Sequence, residues 1–493
     1  MRRIHRLALC VMLAVMLAVL ALAGCTPEVG QRPGRPLPAV PGVLVSSTMQ
    51  NPQGIAAGYG KLTLTALDPG NGSVRWRYQT DWHPYQLVGA PVVADGVVYT
   101  VSDPVPSASS CSNVRGNLVA LGESDGRQLW SVSVGPLPTP PVTANGVVYT
   151  SALTFDDCAT PRSHQEVKSY YALRVSDGHQ LWRIDLTQDT TDANPDDSLG
   201  LDTSLQFVDG ALLAVSEANV SETGSRVGHI FAFDAANGKL RWKNTFFSDQ
   251  SIVSVVANGL LVVRTHPAGK PVHEWTAYRA SDGQQVWKVS GGYSGRFLAS
   301  GDEIYADATD ETASSTPQQP MFDTRVVALN ARSGQQLWQV ASDTNDINAI
   351  NSLLAMRADT VYAQLGPSSF AEKEAGYWKL EGLDAASGRL RWRASLPWLL
   401  GQELLTDAAL FGYSDDMLPG YVMALDAGDG HTIWNVPIEA TRNGGNIRSL
   451  ALGNGALYAA DEGSTVTAIR ALNGAILWKA KIEGAGIAMT VVG

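Results

Sequence analysis

Several classes of enzyme signature are missing from this sequence of 493 residues. It contains no Gly-x-Ser-x-Gly, no His-Glu-x-x-His, no phosphate-binding glycine loop and no Cys-x-x-Cys. Hydrolases, zinc proteases, nucleotide-binding enzymes and thiol redox enzymes rely on these motifs. The eight histidines are scattered along the chain. We therefore expect no catalytic residues, no metal ligands and no bound cofactor, and a protein that is not an enzyme.

Positive charge is also scarce. The chain holds 36 lysines and arginines against 47 acidic residues, for a net charge of −11. Three of the arginines and no acidic residue lie before residue 25, so the charge of the remainder is −14. Nucleic acids and anionic lipids both attract basic surfaces. The balance therefore argues against nucleic-acid binding and against flat adhesion to a membrane.

The amino terminus is typical of an export signal. A basic head, Met1 to Arg6, precedes an unbroken apolar run from Leu7 to Ala23, which is short for a stable membrane span. The run ends in Leu-Ala-Gly-Cys25, which resembles the bacterial lipobox, whose cysteine receives a diacylglyceryl group and becomes the new N-terminus. We expect residues 1–24 to be a lipoprotein signal peptide and Cys25 to be lipidated. An ordinary signal peptide with an incidental cysteine is the alternative.

A proline-rich segment follows the cysteine. Residues 26–42 hold five prolines and show neither helical nor strand periodicity, so they favour an extended, polyproline-like form that reaches on the order of 50 Å. The predicted organisation is a lipidated cysteine with its tether over residues 25–42 and a folded domain over residues 43–493. The protein would be anchored to the membrane on its extracytoplasmic face.

Cysteine is otherwise rare. Apart from Cys10 in the signal and Cys25, the chain has only Cys111 and Cys158. In an oxidising compartment a disulfide between the two is the simplest account, and the chain-entropy model values such a loop at about 4 kcal/mol. Two free buried thiols are the alternative.

One pattern returns nine times at a spacing of about 50 residues. Each copy has a small residue ten positions before a tryptophan, and Gly-x-x-x-Trp preceded by Asn, Asp or Ser. The tryptophans are Trp76, Trp130, Trp182, Trp242, Trp287, Trp338, Trp392, Trp434 and Trp478.

The chemistry of this spacing predicts paired hairpins. Asn-Gly, Asp-Gly and Ser-Gly supply the positive φ of a strand-reversing turn, so each copy places the small residue on one strand and Trp on the next. A second hairpin precedes it, with turns such as Asp95-Gly96 and Asn145-Gly146 leading into Val-Val-Tyr strands. Two hairpins make a four-stranded antiparallel blade, and a ring of blades covers the apolar faces that one blade leaves open. The indole would fill the wedge between neighbouring blades.

The pattern Ala-x-Asp-x-x-Asn-Gly-x-x-x-Trp, complete at Ala66 to Trp76 and Ala232 to Trp242, resembles the tryptophan-docking repeat of the PQQ-like (quinoprotein alcohol dehydrogenase-like) β-propellers. Together with the lipobox, it makes the chain similar to the lipoprotein scaffolds of that superfamily, including those of outer-membrane β-barrel assembly. The resemblance implies an all-β propeller of four-stranded blades. The literal count of repeats is nine, the family norm is eight, and we expect eight with one atypical copy, closed by pairing of the N- and C-terminal strands.

The resemblance leaves the function open, because this fold hosts enzymes and scaffolds. The quinoprotein dehydrogenases carry adjacent cysteines, which this chain lacks. We expect a monomeric, non-catalytic scaffold that binds another envelope or cell-surface protein. The alternatives are a PQQ-dependent oxidoreductase and a carbohydrate-binding or adhesion propeller.

The predicted binding face is the one that carries the long connections between the second and third strands of the blades. Trp275 and Trp378 flank such connections and are candidate contact residues, with packing on their own blades as the alternative. The acidic stretch from Asp185 to Asp202 is interpreted as a solvated loop between blades, or else as an ion site.

Overall fold

The computed structural model describes residues 42–50, 59–80, 83–84, 90–102, 116–135, 139–155, 166–187, 201–219, 226–267, 272–291, 297–311, 322–341, 349–367, 378–401, 404–414, 420–438 and 446–492. All of them belong to one unit that spans Leu37–Gly493. Cys25, Cys111 and Cys158 lie outside the described residues, as does the predicted signal peptide. Within the described part of the chain, no helix is long and apolar enough to cross a membrane.

The chain forms short antiparallel strands that fall into groups of four, here called blades. Blade 1 begins with β1 (Gly42–Gln50), β2 (Tyr59–Leu67) and β3 (Val74–Gln79), with the short β4 (His83–Pro84) beside β2. Blade 2 contains β5 (Val92–Ala94), β6 (Val97–Ser102), β7 (Asn117–Gly122) and β8 (Gln128–Ser133). Blade 3 contains β9 (Val142–Ala144), β10 (Val147–Phe155), β11 (Glu166–Arg174) and β12 (Gln180–Thr187). Blade 4 contains β13 (Leu201–Val208), β14 (Ala211–Asn219), β15 (Arg226–Asp234) and β16 (Leu240–Ser248).

The second half of the chain repeats the arrangement. Blade 5 contains β17 (Val253–Ala257), β18 (Leu260–Thr265), β19 (His273–Arg279) and β20 (Gln285–Gly291). Blade 6 contains β21 (Phe297–Ser300), β22 (Glu303–Glu311), β23 (Phe322–Asn330) and β24 (Gln336–Ala341). Blade 7 contains β25 (Ala349–Arg357), β26 (Thr360–Pro367), β27 (Trp378–Asp384) and β28 (Leu390–Leu396). Blade 8 contains β29 (Leu404–Leu405), β30 (Ala409–Tyr413), β31 (Gly420–Asp426) and β32 (Thr432–Ile438), and blade 9 contains β33 (Ile447–Gly453), β34 (Ala456–Asp461), β35 (Thr465–Arg470) and β36 (Ile476–Lys481), followed by β37 (Ala485–Val492).

The ring is closed by the two ends of the folded chain. Strand β37 pairs antiparallel with β1, so that Val43 lies opposite Val491, and it becomes the first strand of blade 1. Strand β37 also contacts the first strands of blades 9 and 2, as a continuous ring requires. The predicted propeller and its closure by terminal strands are therefore confirmed.

The described strands form nine sheets, so the literal count of repeats holds and the preferred number of eight does not. The first repeat looked atypical because the N-terminal part of the chain supplies only three of its four main strands, β1 to β3. The C-terminal strand supplies the fourth, which makes the first copy a complete blade.

Tight turns lie together on one face of the ring. The turn between the first and second strands of blade 2 has φ of 51° at Asp95 and 75° at Gly96, as a two-residue hairpin of the primed type requires. It touches the turn between the third and fourth strands, since Glu123 N donates to Gly96 O at 3.0 Å. We call this the tight-turn face. The opposite, long-loop face carries the connections between blades and between the second and third strands.

The repeat tryptophans lie on the outer strands and reach the next blade. Trp338 pairs with Ala328 across its own hairpin, and its indole Nε1 donates to Ala385 O in the turn of blade 7 at 2.7 Å. The same contact spans the closure, since Trp478 Nε1 donates to Pro69 O of blade 1 at 2.9 Å. Each such bond satisfies a largely buried indole N–H and ties two blades together.

A second aromatic residue supports the tryptophan, and the sequence analysis missed it. The ring of Tyr305 lies 5.8 Å from that of Trp338, and its hydroxyl group lies 3.4 Å from Ala385 O, the carbonyl that Trp338 Nε1 binds. Tyr149 and Trp182 share one carbonyl in the same way. The signal was present in the Val-Val-Tyr runs of the second strands.

Candidate functional site

The long-loop face is assembled from the ends of strands that run beyond the tryptophan layer. Strands β10 and β11 continue in register from Val147 opposite Arg174 to Phe155 opposite Glu166. Strands β22 and β23 likewise pair as far as Glu311 opposite Phe322. Much of the intervening connections lies outside the described residues. The described part of this face therefore consists of strand ends and the seams between blades.

Polar side chains on the second strands bind the backbone of the following blade at this face. Asp307 Oδ1 accepts a hydrogen bond from Leu353 N at 2.8 Å, although its side chain is largely buried. Gln364 Oε1 accepts one from Leu400 N at 2.9 Å. Such bonds satisfy buried backbone N–H groups at the boundary between one blade and the next. They stiffen the long-loop face as the tryptophans stiffen the tight-turn face.

Blades 3 and 4 are joined by a buried ion pair. Lys168 Nζ lies 2.6 Å from Asp202 Oδ1, and both side chains are inaccessible to solvent. Asp202 also accepts hydrogen bonds from Tyr170 Oη, at 3.1 Å, and from Ser151 Oγ. Burial and the nearby Asp202 carboxylate raise the pKa of Tyr170 well above its usual value. Both oxygens of the Asp202 carboxylate therefore have partners on blade 3, and the arrangement holds blades 3 and 4 together.

The burial of Asp202 corrects part of the sequence interpretation. The acidic stretch does not end in a solvated loop, because Asp202 is the first-strand residue that receives the lysine of the neighbouring blade. Asp185 does lie near solvent and pairs with Arg183 at 2.7 Å. Residues 188–200 lie outside the described part of the chain.

An aromatic groove opens between blades 4 and 5 towards the outer rim. It has a volume of about 190 Å³ and is lined by Phe246, Phe247 and Pro267 together with the ion pair of Glu274 and Lys288. Phe247 is 60% exposed. Aromatic residues are enriched at protein–protein contacts. The sequence analysis did not select Phe247, because a second aromatic at the end of an outer strand follows no repeat position.

Next to this groove lies a cluster of basic groups. The rings of His266 and His273 are 4.8 Å apart, and His273 Nε2 is 3.0 Å from Gln250 Oε1. Burial, reinforced by the charges of Arg264 and His266, lowers the pKa of His273 to about 4. The imidazole is therefore neutral at ordinary pH.

The two tryptophans predicted as contact residues belong to the core. Trp275 is 0% exposed and its ring lies 4.8 Å from that of Phe297 in blade 6. Trp378 is 9% exposed and occupies the space over Gly366. A buried indole cannot reach a partner, so the contact assignment is wrong and packing on the blades accounts for both residues.

One group of potential metal ligands occurs among the described residues, formed by Asp426, Asp429 and His431. It lies in the turn of blade 8 on the tight-turn face. Asp429 Oδ1 caps the turn by accepting a hydrogen bond from His431 N at 3.0 Å, and Asp177 does the same for His179 in blade 3. The group follows from turn geometry shared between repeats and points to no ion.

The described first strands of the blades do not suit a PQQ molecule. PQQ is an orthoquinone with three carboxylates, which need several free cations. On the described first strands, the cationic side chains are Arg357 and Arg448. Arg357 is paired with Asp407 and Arg448 with Glu462. The described donor set therefore fails to match that cofactor.

Nine four-stranded blades, linked by tryptophans that dock on neighbouring turns and closed by a shared first blade, define a PQQ-like β-propeller. The chain belongs to the family described as "Outer membrane protein assembly factor BamB", whose model matches residues 60–194, 163–376 and 323–493. No protein of curated function matches the chain.

Solved structures with a similar fold include BamB from Moraxella catarrhalis, at 15% identity over 71% of this chain and 88% of that chain, with a TM-score of 0.39. AztD from Citrobacter koseri is 13% identical over 92% of this chain and 99% of that chain, with a TM-score of 0.45. The quinohemoprotein alcohol dehydrogenase from Comamonas testosteroni is 13% identical over 70% of this chain and 67% of that chain, with a TM-score of 0.42. These likenesses carry no information on function.

Proposed function

We propose that the protein is a non-catalytic, exported lipoprotein that holds another envelope protein on its long-loop face. The family match across residues 60–493 carries the proposal, since the family's description names an assembly factor. Under this proposal residues 1–24 direct export, Cys25 carries the lipid, and residues 26–42 are the tether.

The architecture supports a holding role. Docked tryptophans, buried polar clamps and the closed ring make a rigid frame, which lowers the ordering cost of binding. The groove beside Phe247 offers an aromatic contact on the long-loop side of the rim. The sequence lacks the motifs of the common enzyme classes, which favours binding over catalysis.

The binding face can be tested by site-specific photocrosslinking in intact cells. A photoreactive amino acid at Phe247 should capture one defined envelope protein. The same residue at Leu337, which is exposed on an outer strand near the tight-turn face, should not. Equal capture from both positions would contradict the proposed face.

Lipidation has a separate test. Metabolic labelling with a fatty acid should mark the protein, and the label should be lost in Cys25→Ser. A labelled Cys25→Ser protein, or an unlabelled native protein, would rule out the anchor.

A further inference from the structure

Blade 9 departs from the other repeats at three positions of its outer hairpin. The residue before the Asn, Asp or Ser of the turn is small or polar in blades 1 to 8, and the second and third residues after the turn glycine hold at most one large apolar residue in each of them. Blade 9 has Leu472, Ile476 and Leu477 at these positions. The fold forms eight times without such a set, so packing within the propeller does not demand it.

All three side chains face solvent. Leu472 is 81% exposed, Ile476 is 45% exposed and Leu477 is 38% exposed. Leu472 lies in the turn itself, one residue before Asn473, which caps the turn through a hydrogen bond from Ala475 N. Exposing apolar side chains is unfavourable in water, and a group of them in one hairpin marks a contact surface.

This turn lies beside the place where the N-terminal segment joins the propeller. Ala471 N donates to Gly455 O at 3.0 Å, and the neighbouring Asn454 donates through Nδ2 to Val492 O at 3.3 Å. Val492 pairs with Gly42. Leu472 and Gly42 therefore lie near each other on the tight-turn face, linked by these two hydrogen bonds and by the pairing of β37 with β1.

The same hairpin is basic in an acidic protein. Residues 465–482 include Arg470, Lys479 and Lys481 and contain no aspartate or glutamate. All three are exposed, but only Arg470 and Lys479 lie near the turn, because Lys481 is at the far end of β36 and donates to Gly463 O on the long-loop face. Apolar side chains at a turn tip, flanked by lysine and arginine, suit the interface of a bilayer that contains anionic lipid.

We infer that the outer hairpin of blade 9 rests on the surface of the membrane, with Leu472, Ile476 and Leu477 at the level of the lipid headgroups and with Arg470 and Lys479 over anionic phosphates. This rests on the lipid anchor of the proposed function. The 16 residues between Cys25 and Gly42 allow a reach of about 50 Å when extended. The tether alone therefore does not fix the orientation of the ring relative to the bilayer. The contact through blade 9 would turn the tight-turn face towards the bilayer and the long-loop face away from it. Because the protein as a whole is negatively charged, anionic lipid should repel the rest of its surface, and we expect the contact only at the outer hairpin of blade 9.

The test uses the lipidated protein, reconstituted in vesicles of phosphatidylethanolamine and phosphatidylglycerol that contain a phospholipid with a photoreactive group near its headgroup. Trypsin releases residues 471–479, which hold all three apolar side chains, and residues 175–183, which are the matching segment of blade 3. Lipid adducts should be at least fivefold more frequent on the blade 9 peptide.

A repeat-matched variant supplies the control. Leu472→Ser, Ile476→Gln and Leu477→Arg install residues that other blades use at these positions, so the fold should form, with an unchanged circular dichroism spectrum. The variant should still float with the vesicles but lose the adducts in that region. Leu181→Arg in blade 3 should leave the labelling of residues 471–479 unchanged.

Two failures are distinguishable. If the native protein does not float with vesicles, the proposed lipid anchor is wrong, and so is the membrane contact that rests on it. If it floats, but residues 471–479 are labelled no more than residues 175–183, or if crosslinks join blade 9 to a second copy or to the tether, the membrane contact is overturned while the anchor stands.

Discussion

The turn glycine of each repeat has two roles. Gly334 has a φ of 68°, in the left-handed region that an L side chain disfavours. It also provides the surface on which the tryptophan of the preceding blade lies, because a Cβ at Gly334 would come within 2.7 Å of the Trp287 ring. The Gly-x-x-x-Trp motif therefore joins two different contacts. Its tryptophan docks forwards, and its glycine receives the tryptophan from behind.

A pair of glycine substitutions separates these roles. Gly455 has a φ of 73° and no neighbour within 4 Å of the position of a Cβ, so Gly455→Ala should lower the free energy of unfolding by about 1–2 kcal/mol from backbone strain alone. Gly334→Ala should cost a further 1–3 kcal/mol, roughly the range for overpacking. Urea denaturation followed by tryptophan fluorescence measures both. Equal losses would mean that indole docking contributes little.

At the scale of strands and turns, the sequence predicted what local chemistry determines. Asn-Gly and Asp-Gly fixed the hairpins, and Ala66 and Trp76 are paired as their spacing indicated. The polar links between blades could not be predicted, because the N–H that donates to Asp307 belongs to a residue 46 positions away that has no motif of its own. Trp275 and Trp378 were misassigned for a related reason. Their neighbours in sequence suggested a loop, whereas their neighbours in space are core residues.

The strands around His273 should make stability depend on pH. The pKa of His273 is about 4 in the folded protein and about 6.5 in an unfolded chain. Between these values the unfolded state binds the extra proton, so the free energy of unfolding should fall as the pH falls from 6.5 to 4, by about 3 kcal/mol in total. Urea denaturation at a series of pH values provides the measurement.

The contribution of His273 is isolated by comparing variants. His273→Gln should remove that part of the pH dependence, while its neighbours Arg264, His266 and Gln250 are retained. If His273→Gln and the native protein lose stability in parallel between pH 6.5 and 4, the assignment to His273 is wrong.

At the scale of the whole molecule, one strand holds the two ends of the ring together. Met489 on β37 is buried in a cluster with Val43 of blade 1 and Trp478 of blade 9. Without β37, the edge of β1 would be unpaired and this cluster would open to water. Blade 1 is therefore built from segments at the two ends of the folded chain. Its stability depends on the pairing of β37 with β1, which no short sequence motif indicates.

Relocating that strand tests the closure directly. Removing residues 485–493 should lower the free energy of unfolding by several kcal/mol, because a paired strand and a buried cluster are lost together. Since Val492 pairs with Gly42, placing residues 485–492 before Gly42 through a two- to four-residue turn should rebuild the same sheet as a hairpin and recover most of the loss. A permuted protein as unstable as the truncated one would show that the covalent order of the chain matters more than the ring. A truncated protein as stable as the native one would show that the ring does not need β37.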